Sequence, residues 1–145
     1  MSHGGALIVG YDGSACAHAA IDAALDIAQR TGDRIVIAFG YEPTGHGEEM
    51  AAHRKVIRER GEEVTAEAMQ RAAELGVEAE LALVPEHPAE ALEHLAEQHD
   101  ARAIVVGTFG ESPLRSALLG STPHKLLHTS RRPVLVVPVR DEQAT

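Results

Sequence analysis

Ala6-Leu7-Ile8-Val9-Gly10-Tyr11-Asp12-Gly13-Ser14 is the stretch on which the fold turns. From Ala6 to Tyr11 the run is continuously apolar and β-branched at its centre, as expected of a strand buried on both faces in a helix-covered parallel sheet. Asp12-Gly13 then turns the chain, and Ser14 has the side chain of a helix N-cap. The helix that follows reaches about Thr31, with Ala17, Ala20, Ile21, Ala24, Leu25 and Ala28 on one face and Asp22, Asp26, Gln29 and Arg30 on the other. Gly32 is placed to end it.

The same strand–turn–helix unit recurs downstream. A second strand over Ile35 to Phe39 runs into Gly40-Tyr41-Glu42-Pro43, and Thr44-Gly45-His46-Gly47 reads as a loop. A long polar helix spans about Glu48 to Leu75, with Gly61 as a bend or interruption and Gly76 as its stop. Its mixed charges read as a solvated outer face. The third strand covers Val77 to Val84, Pro85 to Pro88 is a turn, and a helix covers Ala89 to His99. A fourth strand, Ala103 to Val106, enters Gly107, and residues 108–120 are irregular with a helical turn near Leu114 to Leu119. Ser121 or Thr122 caps a last helix, with Pro123 in its first turn, and Pro133 opens a fifth strand over Val134 to Val137. Five strands alternating with four helices, with no linker or repeat, predict one α/β domain over residues 1–145 built on a parallel sheet.

Composition narrows the function. The chain has 145 residues, 44% of them hydrophobic and 24% charged, which is ordinary for a globular domain and too apolar for a disordered one. A net charge of −9 without a basic run, and 3% aromatics without Trp, predict no nucleic-acid partner. No apolar run approaches the length that crosses a bilayer, so no membrane partner is expected. The N-terminus lacks the basic and apolar regions of a secretory signal, and the single cysteine, Cys16, suits a reducing compartment. The expected location is cytoplasmic.

In an open parallel sheet, ligands bind beyond the carboxyl ends of the strands, where strand order reverses. That rule directs attention to Gly10 to Gly13, Phe39 to Tyr41, Pro85 to His87 and the segment after Val106. The last of these places glycines at 107, 110 and 120, where backbone can approach a ligand closely. Gly120-Ser121 stands at a helix start, where free N–H groups and the dipole favour an anion. The Ser121 hydroxyl either bonds a phosphate oxygen or caps the helix, and three glycines by themselves also serve merely to shape turns. Asp12 likewise has two readings, a turn cap or a ligand contact.

Gly107-x2-Gly110-x9-Gly120-Ser121 resembles the G-x2-G-x9-G-[ST] signature of the universal stress protein family. The opening Val9-Gly10-Tyr11-Asp12-Gly13-Ser14 and the closing Leu118-Leu119-Gly120-Ser121 and Arg132-Pro133-Val134-Leu135-Val136-Val137 resemble it too. The resemblance implies a flavodoxin-like, adenine-nucleotide alpha-hydrolase-like sheet in strand order 3-2-1-4-5, with helices on both faces. It also implies a homodimer paired through the last strand, Pro133 to Val139, and ATP as ligand, with Mg²⁺, while AMP stays open as an alternative. Carried over by position, Gly10 and Asp12 lie near the adenine and ribose and Gly40 backbone meets the adenine edge. Gly107 and Gly110 line the ribose and phosphates, and Gly120, Ser121 and Thr122 hold the phosphate tail. The chain departs from the family pattern at Glu86 or His87, where a glycine is frequent, at Pro123, where a small hydroxyl residue is common, and at Gly40, which replaces an aliphatic residue.

Other chemistries lack their residues. There is no Walker loop, no G-x-G-x-x-G after the first strand and no S-G-G-x-D-S loop. A phosphoacceptor domain needs an aspartate ending the third strand and a lysine ending the fifth, where this chain has Leu83-Val84-Pro85 and Val137-Pro138-Val139. His124 with His128, and Glu90 with His94, are spaced as pairs on helix faces, but two ligands do not make a metal site. Cys16, without a second cysteine or a base partner, reads as a small buried side chain. The expectation is an ATP-binding regulatory module of the stress response, not an enzyme beyond slow ATP hydrolysis.

Overall fold

A computed structural model describes residues 4–12, 14–40, 48–84, 88–108 and 120–139. The order of elements is β1 (Ala6–Gly10), α1 (Ala15–Thr31), β2 (Arg34–Gly40), α2 (Glu48–Glu74), β3 (Ala79–Val84), α3 (Pro88–Gln98), β4 (Ala103–Gly107), α4 (Ser121–Thr129) and β5 (Val134–Val137). The strands form one parallel sheet in the order β3-β2-β1-β4-β5. Register brings Ile8 beside Val36 on one side and Ile104 on the other, and Val105 beside Leu135. The chain therefore winds outward from β1 in one direction through β2 and β3, then returns to begin again at β4. The crevice between β1 and β4 is the point where that direction reverses.

Side chains alternate across the sheet, and each face acquires its own apolar layer. Leu7, Val9, Ile35, Ile37 and Val105 pack against α1 and α2, while Ile8, Val36, Ile104 and Val106 pack beneath α3 and α4. Leu126 anchors α4 and is fully buried, as are Ile8 and Val105. Burial of each such side chain contributes about 2 kcal/mol.

Local chemistry sets the helix ends. Ser14 Oγ accepts the Ala17 N–H at 3.1 Å, and Gly32, at φ 79°, closes α1 by donating its N–H to Ala28. The six inward residues expected for α1 are its buried residues. Pro88 is the first residue of α3 and not the end of the preceding turn, as a residue without an N–H suits a helix start. Gly61 does not interrupt α2, which is continuous from Glu48 to Glu74. A Cβ there would stand 3.0 Å from Leu83 Cδ2, so the missing side chain lets the helix lie close to β3. Gly61 leads a buried stripe of small residues, with Thr65, Ala68 and Ala72, spaced to face the sheet. Thr65 stays satisfied within it by donating its hydroxyl to the Gly61 carbonyl at 2.7 Å. The helix thus has a buried inner face besides the solvated outer one expected from its charges. None of the helices among the described residues is long and apolar enough to cross a membrane.

Candidate functional site

At the carboxyl end of the sheet, β1 leaves through Tyr11 and Asp12. The Tyr11 N–H still reaches across to the Ala38 carbonyl of β2 at 3.1 Å, holding the two strand ends together. The Tyr11 ring is buried and meets the His18 ring edge-on, with its hydroxyl 3.1 Å from His18 Nε2. Burial, and then the negative charges of Glu67, Asp12 and Asp22, push the Tyr11 phenol above its ordinary range, so it stays protonated. Exposed Asp12 accepts the Ser14 N–H on Oδ1 at 2.9 Å, the turn-capping geometry that an aspartate before Gly-Ser favours.

Gly107 ends β4 directly beneath the first turn of α1. A Cβ on it would lie 2.5 Å from the Cys16 carbonyl oxygen, a separation no side chain tolerates. The glycine is thus required for the strand end and the helix start to meet. Cys16 is half-buried and not enclosed, and its Sγ lies 3.7 Å from the Thr108 hydroxyl. Gly10 plays a different part. A Cβ there would point at Leu92 Cδ1 and Val106 Cγ1, 3.1 and 3.2 Å away, so its bare α-carbon lets α3 settle on the sheet. Gly40 is the last residue of β2, paired with Val84, one step beyond the level of Tyr11.

The start of α4 completes the arrangement. Gly120, and not Ser121 or Thr122, occupies the N-cap, with extended backbone at φ −67° and ψ 167°. The cap moves because the Gly120 N–H is drawn to the Thr108 carbonyl at 2.6 Å, which fixes the helix entrance to the end of β4. Ser121 is accordingly the first helical residue, and no side-chain hydrogen bond caps the helix. The first-turn donors can be accounted for one by one. Gly120 donates to Thr108, Pro123 has no N–H, and His124 donates to the Gly120 carbonyl at 3.1 Å. Among the described residues that leaves the backbone N–H groups of Ser121 and Thr122 without an acceptor, at the positive end of the helix dipole beside the β4 terminus. Such a pair is suited to hold an anionic oxygen.

Gly10, Asp12, Gly40, Gly107, Gly120, Ser121 and Thr122 therefore all lie at the carboxyl end of the sheet. Gly110, Glu86 and His87 lie outside the described residues, as do Gly13, the loop over 41–47 and the helical turn near Leu114. Thr108 was not singled out in the sequence, although it ties the two sides of the crevice. Its position beside Gly107 was the available signal, but the role depends on contacts to residues far away in sequence. His124 and His128 bring their rings to 4.8 Å, and among the described residues no three His, Cys, Asp or Glu side chains gather as metal ligands.

Comparison with known proteins agrees with this architecture. A Thermus aquaticus protein, the universal stress protein in the QAH/OAS sulfhydrylase 3′ region, is 39% identical over 137 residues, covering 90% of this chain and 96% of its own. Universal stress protein YxiE of Bacillus subtilis is 30% identical over 146 residues, covering 90% and 97%. The crystal structure of a universal stress protein in complex with cAMP superposes with a TM-score of 0.73 at 30% identity, covering 92% of this chain and 96% of that one. The model of the universal stress protein family matches residues 5–138, and the chain belongs to that family.

Proposed function

We propose that this chain is a regulatory module of the stress response that binds an adenine nucleotide in the crevice between β1 and β4. The observation that carries the reading is the pair of uncapped N–H groups, Ser121 and Thr122, at the entrance of α4. They lie beside the end of β4, next to the point where strand order reverses, and phosphate is the anion such an entrance suits. A relative of 30% identity that was crystallised with cAMP supports an adenine nucleotide as the class of ligand. In this reading, Asp12 and Gly40 backbone face the ribose and base, Gly107 and Gly110 line the sugar and phosphates, and Gly120, Ser121 and Thr122 hold the phosphate tail. ATP with Mg²⁺ is the ligand the glycine signature favours, with AMP and cAMP as the shorter alternatives. Binding acts through a homodimer formed along Pro133 to Val139. β5 is an edge strand, and the exposure of Leu135 (38%) and Val139 (37%) supports that pairing.

Calorimetric titration with Mg-ATP, AMP and cAMP tests the proposal. Because Gly120 holds a backbone angle that any residue adopts, Gly120→Val leaves α4 formed and places a side chain in front of the free amides. Saturable binding to the native chain, weakened by about tenfold or more in the variant, is expected, since about 1.4 kcal/mol is lost per decade. Equal affinity in the variant, or no binding by the folded native chain, removes the site and leaves a nucleotide-free scaffold of the same fold.

A further inference from the structure

Helix α2 joins two neighbouring parallel strands, so it starts at the carboxyl end of the sheet and descends to the amino end. Gly61 packs against Leu83 and Phe39, close to the carboxyl ends of β3 and β2. The residues before it, from Glu48 to Arg60, therefore rise beyond the sheet, over a length of about 20 Å. Burial follows this geometry. Gly61, Thr65, Ala68 and Ala72 are buried, whereas no described side chain of residues 51–60 is.

Above Gly61 the inward face continues through half-buried Ile57 and His53, and exposed Arg58 and Arg54 run beside them, each one position on. Where the stripe has sheet beneath it, the residues are small; beyond the end of the sheet, arginines flank it. Lys55 lies beside them, within about 100° of arc, so the three cations form one ridge. All three are exposed, and none has a carboxylate within salt-bridge distance among the described residues. Five cations elsewhere are engaged, Arg30 with Asp26, Arg71 with Asp22, Arg102 with Asp33, Lys125 with Glu90 and Arg132 with Asp100, whereas Arg60 and Arg131 are exposed without a carboxylate partner among the described residues. In a chain of net charge −9, three adjoining cations without carboxylate partners among the described residues make a local basic ridge that overhangs the sheet end.

We infer that Arg54, Lys55 and Arg58 form a docking ledge for an acidic polypeptide segment of a partner protein. Charge complementarity names the partner, and size narrows it. From Arg54 to Arg58 the ridge is about 6 Å long, matching a few carboxylates of an extended segment. A duplex or a bilayer would press its continuous negative charge onto Glu59, Glu62, Glu63 and Glu67 of the same helix. The ledge requires no bound nucleotide.

Fluorescence anisotropy of the full chain with a labelled peptide of alternating Glu and Ala, at low salt, tests the ledge. The peptide is expected to bind, and the triple variant Arg54→Glu, Lys55→Glu, Arg58→Glu to weaken it by about tenfold or more. The neutral double variant Arg54→Gln, Arg58→Gln gives a smaller loss in the same direction, and Arg131→Glu, a distant unpaired cation, leaves binding unchanged. Each variant is checked for native helix content by circular dichroism. Absence of peptide binding by the native chain, equal affinity in the triple variant, or tighter binding of duplex DNA than of the peptide overturns the inference.

Discussion

The two ends of the sheet are finished in opposite ways. At the amino end the polar groups are tied to one another. Asp33 is almost wholly buried, and its carboxylate accepts the Gly5 N–H at 2.7 Å and Arg102 Nε at 2.6 Å, with a second Arg102 contact at 3.1 Å. One side chain thereby joins the starts of β1, β2 and β4. At the carboxyl end the backbone is brought equally close, through Gly107 and through the Gly120–Thr108 bond, yet the Ser121 and Thr122 amides receive no cap among the described residues. The amino end commits its polar groups to the fold, and the carboxyl end leaves two amides without a partner among the described residues, as the proposed ligand site requires.

The largest predicted effect breaks the close approach at the carboxyl end. Gly107→Val forces a side chain into the Cys16 backbone and destabilises the chain by about 3 kcal/mol, measured by urea denaturation. A smaller loss, about 2 kcal/mol, is expected for Asp33→Ala, which leaves the Gly5 N–H without its acceptor. Nucleotide affinity is expected to survive that change, because the clasp lies at the far end of the sheet.

The Asp33 carboxyl also gives the amino end a pH signature. Burial pushes it up, but the hydrogen bonds from Arg102, Thr31 and Gly5 and the Arg102 charge outweigh burial and hold it below the ordinary value of 3.8. The unfolded chain therefore binds the proton more readily, and stability rises with pH across that window. The contribution is complete above the unfolded value and is lost as pH falls through the lower folded one. Acid denaturation curves are expected to show this loss in the native chain and not in Asp33→Asn. The smallest effect sharpens the contrast with Gly107. Gly61→Ala meets the mobile end of Leu83, and the better helix propensity of alanine offsets the contact, so stability changes by less than about 1 kcal/mol.

What the sequence made legible follows the range of the interactions. The Ser14 cap, the Gly32 terminus and the buried face of α1 depend on neighbours within a few residues, and sequence spacing predicted each. The strand-end rule likewise put the glycines at the correct end of the sheet. The identity of the α4 cap was not legible, because it depends on Thr108, across the intervening segment, drawing Gly120 into place. Gly61 was misread as an interruption for the same reason: its neighbour is Leu83, on another element. The half-buried position of Cys16 under Thr108 was invisible until β1 and β4 were side by side.

The most direct measurement is an amide nitrogen–proton NMR titration of the chain with AMP. Saturable shifts at Ser121, Thr122 and Gly107, with Gly5 and Asp33 unmoved, are the predicted result. Shifts confined to the amino end, or none anywhere in a folded sample at saturating AMP, would contradict a nucleotide site at the entrance of α4.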